Sequence, residues 1–142
     1  MAITSLVMAC ALKAAALYGV PSAGVLAIIE AEGGRPGLVH ENGDGSRDLG
    51  PMQVNSLWLP TLAAGWGVDA AAAETALLDR PCTNVSVGTW ILADCIRRRG
   101  GDFWQGVGCY HAPSDPARAA AYAARVSAKA AALFGRGIFA AP

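Results

Sequence analysis

The sequence predicts a mainly α-helical single domain with one long irregular loop, and three observations carry that prediction. Apolar residues recur at helical spacing along most of the chain, whereas strand-like alternation is missing. Residues 33–50, "GGRPGLVHENGDGSRDLG", break the pattern with glycine, proline, Asn42 and acids and show no periodicity, which reads as a loop. At 142 residues the chain is the length of one domain, 1–142, able to hide roughly 68–70% of the surface that its unfolded form exposes.

Each element has its own signals. The first helix is capped near Thr4 or Ser5 and stopped by Gly19 ahead of Pro21. Ser22 is placed to cap a second run, Ala23 to Glu32, ended by the pair Gly33-Gly34. Within the loop a short hairpin is expected around Asn42 to Gly45, after which a helical turn or two resumes through "MQVNSLWLPTLAAG". Asp69 then caps "AAAAETALL". The clearest helix is "CTNVSVGTWILADCIRRRGG": Val87, Trp90, Ile91, Asp94 or Cys95, and Arg98 step at three and four, and three arginines suit its negative end. A short apolar helix, "DFWQGVGCYHA", follows. Asp115, with Pro116 at the first helical position, opens the last one, which Gly135 closes.

Composition excludes several functions. Acidic and basic residues balance at 11 each, so the chain lacks the basic stripe that a nucleic-acid backbone requires. A hydrophobic fraction of 54% is largely alanine, and every long apolar window is interrupted well before the ~18 residues needed to span a bilayer. The N-terminal "MAITSLVMACALKAAALYGVP" has no positive leading region and carries Lys13 inside its apolar run, so it reads as an amphipathic helix, with any export signal removed or never there. Four cysteines, Cys10, Cys82, Cys95 and Cys109, allow three fully paired connectivities and match no metal signature; in a cytosolic protein they would be small buried hydrophobes.

The candidate chemistry lies in carboxylates. "NGDGSRD" fails as a calcium loop, because aligning Asn42 and Asp44 to the third and fifth ligand positions puts His40 first and Pro51 twelfth. His40 and His111 have no companions at triad or metal spacing and read as surface or packing residues. Glu30 and Glu32, in "AIIEAEGG", point about 200° apart on a helix, so only one can face a cleft. Glu32 continues the stripe of Val25, Ile28 and Ile29, while Glu30 lies off it. A carboxyl group on that stripe without a cationic partner has its protonated form favoured by desolvation, as a general acid requires.

Four blocks in order, "VPSAGVLAIIEAEGGRP", "GSRDLGPMQVNS", "PCTNVSVGTWILADCI" and "WQGVGCYHA", resemble the small specialised lytic transglycosylases that accompany conjugation, secretion and pilus machines of the bacterial envelope. The match runs from about Cys10 to Tyr110. It implies a lysozyme-like fold of the α+β lysozyme superfamily, with the loop at the active site and the catalytic glutamate at Glu32. Gly50, Met52 and Gln53 match the family's Gly-Leu-Met-Gln element, which holds the sugar, and Tyr110 matches its cleft tyrosine. Pro51 stands in place of leucine, His111 in place of asparagine and Pro113 in place of glycine.

The resemblance also implies the reaction: protonation by Glu32 of the β-1,4 bond between N-acetylmuramic acid and N-acetylglucosamine, closing a 1,6-anhydromuramyl end without metal or cofactor. The stretch around Asp48 is similar also to animal-type lysozymes, in which the matching aspartate is a second catalytic carboxylate. A hydrolytic lysozyme using Glu32 and Asp48, and a non-catalytic peptidoglycan-binding module, are therefore the rival readings. From the family comes the pairing Cys10 with Cys82, which leaves Cys95 with Cys109, and hence an exported, periplasmic location. The implied partners are peptidoglycan glycan strands and an envelope-spanning machine, with a monomer expected.

Overall fold

A computed structural model of the chain describes residues 3–139, so the outermost residues of the expected 1–142 domain, 1–2 and 140–142, lie outside it. The order of elements is α1 (Ser5–Tyr18), α2 (Ser22–Glu32), β1 (Val39–Glu41), β2 (Arg47–Leu49), β3 (Val54–Asn55), α3 (Leu59–Trp66), α4 (Ala70–Asp79), α5 (Pro81–Arg98), α6 (Phe103–His111) and α7 (Pro116–Phe134), with a 3-10 turn at Ser56–Trp58. The architecture is mainly helical with one small sheet.

The helix starts follow the capping residues. Thr4 Oγ1 accepts from the Val7 N–H at 3.3 Å, Asp69 Oδ1 from Ala72 at 2.8 Å and Asp115 Oδ1 from Arg118 at 3.1 Å, each relieving an amide that the first turn leaves unpaired. Ser22 departs from expectation. Pro21 occupies the cap position of α2 without a side-chain bond, and its carbonyl accepts from Gly24 and Val25, so Ser22 is already the first helical residue.

The hairpin expected in the loop is part of a three-stranded sheet. Strands β1 and β2 pair antiparallel with His40 opposite Asp48, and β3 adds Asp48 opposite Asn55. The hairpin turn falls where expected: Asn42 N–H donates to the Ser46 carbonyl, and Asp44 Oδ1 accepts from both the amide and hydroxyl of Ser46. At two or three residues the strands are too short for alternation to show. Strand β3 also occupies residues expected to be helical, because pairing with β2, a contact made outside the local sequence, decides their conformation.

Helix α2 is the central element, buried from Gly24 to Ile29 and packed against α1 and α7. Helix α5 lies against α1, α4 and α6. Two disulfides link these layers, Cys10–Cys82 between α1 and α5 and Cys95–Cys109 between α5 and α6, with Cα–Cα distances of 4.9 and 5.6 Å. This is the pairing that the family resemblance implies. Among the described residues no helix is long and apolar enough to cross a membrane.

Candidate active site

Glu32 is the last residue of α2, and Gly33 closes the helix behind it in a left-handed conformation, φ 63°. Its side chain is 12% exposed, and burial pushes its pKa from 4.5 up to about 7. Opposing that rise are the nearby Tyr122 hydroxyl, the Arg125 guanidinium and, more weakly, His40, while the charge of Asp48 adds to it. The structure adds a neighbour that the sequence does not reveal. Arg125 Nη2 stands 3.6 Å from Glu32 Oε1, so the carboxylate does have a cationic partner. Because that guanidinium is 53% exposed, water screens it and desolvation prevails. The buried Tyr122 hydroxyl faces the same carboxylate but reaches no acceptor at full hydrogen-bond geometry.

Glu30, although it lies off the apolar stripe, is not a free surface residue. It is half-buried, and its Oε2 is enclosed without a hydrogen-bond partner. Helix α2 is covered on nearly all sides, so an apolar stripe alone could not separate the two glutamates. Their surroundings do, because Glu32 has Tyr122, Arg125, His40 and Asp48 about it.

Asp48 is the middle member of a row across the sheet. Asn55 Nδ2 donates to its Oδ1 at 3.0 Å, and His40 Nδ1 lies 3.9 Å from its Oδ2. Cross-strand register places all three side chains together, so the sheet presents Asp48 towards the end of α2.

The segment from Gly50 to Gln53 is held by its own backbone and by α5. Gly50 has φ 70°, and a Cβ there would collide with Asn84 Nδ2, so only glycine fits. The fully buried Asn84 donates to the carbonyls of Leu49 at 2.8 Å and Leu77 at 3.0 Å, and accepts from the Met52 N–H at 2.9 Å. The Met52 side chain is itself buried, near the Thr89 hydroxyl, so it faces the core. Gln53, at φ 50° an unusual conformation for a residue with a side chain, returns its amide to the Gly50 carbonyl at 3.0 Å. Tyr110 donates to the Met52 carbonyl at 2.7 Å, and burial together with the charges of Glu32 and Asp48 holds its hydroxyl protonated, well above the usual tyrosine range.

The structure thus gathers Glu32, Asp48 and Tyr110, with Gly50, Met52 and Gln53 forming the turn beneath Tyr110. Reading the sequence missed Tyr122, Arg125 and Asn84. The first two sit on α7 outside the four blocks, and their only sequence signal is the three-residue step between them. Asn84 could have been noticed as an amide in an otherwise apolar helical face. A concavity of about 1280 Å³ between α1, α3, α4 and α5 contains none of these residues. It is a separate surface feature.

A buried helix ending in a desolvated carboxyl group, set against a small antiparallel sheet, defines the lysozyme-like class of domains. The family model "Transglycosylase SLT domain" matches residues 9–132. The chain belongs to that family. It is 36% identical over 110 residues to "Invasion protein IagB" of Salmonella typhimurium (strain SL1344), covering 77% of this chain and 65% of that protein. It is 31% identical over 105 residues to "Protein IpgF" of Shigella flexneri, covering 73% and 65% respectively. The matched region therefore spans about 65% of the length of these relatives.

Proposed function

We propose that the protein is a peptidoglycan lytic transglycosylase in which Glu32 is acid and then base. The observation that carries this reading is the burial of Glu32, whose pKa of about 7 keeps a proton available near neutrality. Glu32 gives that proton to the oxygen linking N-acetylmuramic acid to N-acetylglucosamine, and the C1–O bond breaks. Positive charge develops at C1, and Asp48, fixed by Asn55, stabilises it across the cleft. The carboxylate now on Glu32 takes the proton of the muramyl 6-hydroxyl as its oxygen bonds to C1. The product is a 1,6-anhydromuramyl end, and no water is consumed. Gly50, the Met52 backbone, Gln53 and Tyr110 form the floor on which the sugar rests.

The two disulfides support work outside the cytoplasm, where such bonds persist. Together with family membership they support action on the cell wall as an exported protein, opening it locally for an envelope-spanning machine. The name of IagB, an invasion protein, fits such a setting.

Asp48 also favours a second reading, since an aspartate opposite the acid is what a hydrolytic lysozyme uses. Digestion of purified peptidoglycan followed by mass spectrometry separates the two. Fragments lighter by one water than the reducing-end products are expected, and hydrated products alone would assign the protein as a hydrolase. Glu32→Gln should abolish release of either kind, whereas Glu30→Gln should retain most of it. Equal loss from both substitutions would remove Glu32 from the role.

A further inference from the structure

A pair of arginines on α7, one of them beside Glu32, has no use in the proton transfers above. Arg118, Tyr122 and Arg125 are four and three residues apart and share one face of α7. On that face Tyr122 stacks against His111, with ring centroids 4.4 Å apart and planes 11° from parallel, and the Arg125 guanidinium lies 5.2 Å from the Tyr122 ring centroid. The three elements meet where the end of α6, the middle of α7 and the end of α2 converge.

These cations are poorly satisfied. Arg125 has one ion-pair contact, the 3.6 Å approach to Glu32, too long for a good hydrogen bond. Among the described residues neither the Arg118 nor the Arg125 guanidinium donates to an acceptor, and Arg118 has no ion-pair partner. By contrast, Arg47 is paired with Glu74, and Arg97 and Arg98 with Asp94. His111 reports the same imbalance: desolvation first, then the charges of Arg118 and Arg125, hold its pKa below the usual histidine range.

Helix stability does not explain Arg118 either. Asp115 caps α7 and Pro116 begins it, so Arg118 stands in the first turn, next to the positive end of the helix dipole. A cation there is unfavourable, and an acid would be the stabilising choice.

We propose that Arg118 and Arg125, set on the His111–Tyr122 stack, form a subsite for a carboxylate carried on the lactyl arm of the muramyl sugar. The proposal rests on the glycan reading of Glu32 and adds a basis for choosing among glycans. Guanidinium groups suit carboxylates through paired N–H donors. A peptidoglycan strand offers such groups from two sources: the lactyl carboxylate itself where the stem peptide is absent, and the carboxylates of the stem where it is present. A polymer of N-acetylglucosamine alone offers neither. Peptidoglycan is thereby favoured over chitin-like chains, and the anion approaches beside the acid that must protonate the bond.

The test is calorimetric binding with Glu32→Gln protein, which holds ligand without cutting it, with and without Arg118→Glu or Arg118→Lys. Three ligands of equal sugar length are compared: a stem-bearing muramyl strand, a stem-free muramyl strand with its lactyl carboxylate, and an N-acetylglucosamine oligomer. Arg118→Glu is expected to weaken muramyl binding about tenfold, Arg118→Lys to weaken it less, because the charge remains while the paired donors are lost, and the N-acetylglucosamine oligomer to bind all forms alike. Loss confined to the stem-bearing strand assigns the subsite to stem carboxylates, and loss confined to the stem-free strand assigns it to the lactyl carboxylate. Equal loss on all three ligands, or no loss on any, overturns the proposal. Arg118→Glu suits the helix end, so weakened binding cannot be ascribed to unfolding, and thermal melts verify this. A wild type that binds as described yet releases nothing from peptidoglycan would instead count against the proposed reaction alone.

Discussion

Glu32 shows what a single buried carboxyl group does to both reaction and stability. Its folded pKa of about 7 lies above the unfolded value of 4.5. The fold therefore favours the protonated form. Its contribution is fully present below about pH 4.5 and is lost as pH rises through 7, where a charge must be held in a poorly hydrated place. The cost at high pH is on the order of 3 kcal/mol, an upper figure since water reaches part of the side chain. The melting temperature of Glu32→Gln relative to wild type should accordingly be more favourable at pH 8 than at pH 4. A pH-independent difference would show that burial does not tune this group. Activity should decline on the alkaline side of about pH 7 as the donor loses its proton. Asp48 acts on the same site by charge, and Asp48→Asn should reduce turnover clearly but less than Glu32→Gln. If the two substitutions are equally severe in single-turnover assays, Asp48 has a larger part than electrostatic support.

Among the elements, the turn from Leu49 to Gln53 depends on α5 more than on its own sequence. Asn84 satisfies three backbone groups from three places, the Leu49 and Leu77 carbonyls and the Met52 amide. Replacing it with alanine leaves them buried without partners, at about 1–3 kcal/mol for each group left unsatisfied. Asn84→Ala should lower the urea midpoint substantially. At temperatures where the variant is still folded it should also lose activity, because Tyr110 is tied to the carbonyl of that same Met52. An unchanged midpoint would mean that water takes over the amide's role. The sheet shows a similar dependence. Asp48 faces Glu32 only because His40 and Asn55 flank it in register, and a one-residue slip would turn its side chain to the opposite face.

For the whole molecule, the disulfides divide into a clamp on the fold and a clamp near the site. They close sequence separations of 72 and 14 residues, for which chain entropy predicts roughly 4 and 3 kcal/mol, less any strain. Removing Cys10 and Cys82 together should reduce stability more than removing Cys95 and Cys109. The second pair should affect catalysis more at equal folded fraction, because Cys109 immediately precedes Tyr110; parallel melts and lysis assays would check both rankings. Much of this molecule was legible beforehand. Caps at Thr4, Asp69 and Asp115, the stops at Gly19 and Gly135 and the helical steps of α5 are signals made by neighbours in the chain, and local energetics were enough to reveal them. Order along the chain likewise marked Glu32, Asp48, Tyr110 and the Gly50–Gln53 turn as a candidate group. The third strand, the enclosure of Glu30, the approach of Arg125 and Tyr122 to Glu32, and the role of Asn84 were decided only by tertiary structure. Each depends on residues distant in sequence that compete for the same space or supply the same hydrogen bond. Periodicity reports which face of a segment avoids water, whereas the identity of the groups facing it is set by how the helices pack.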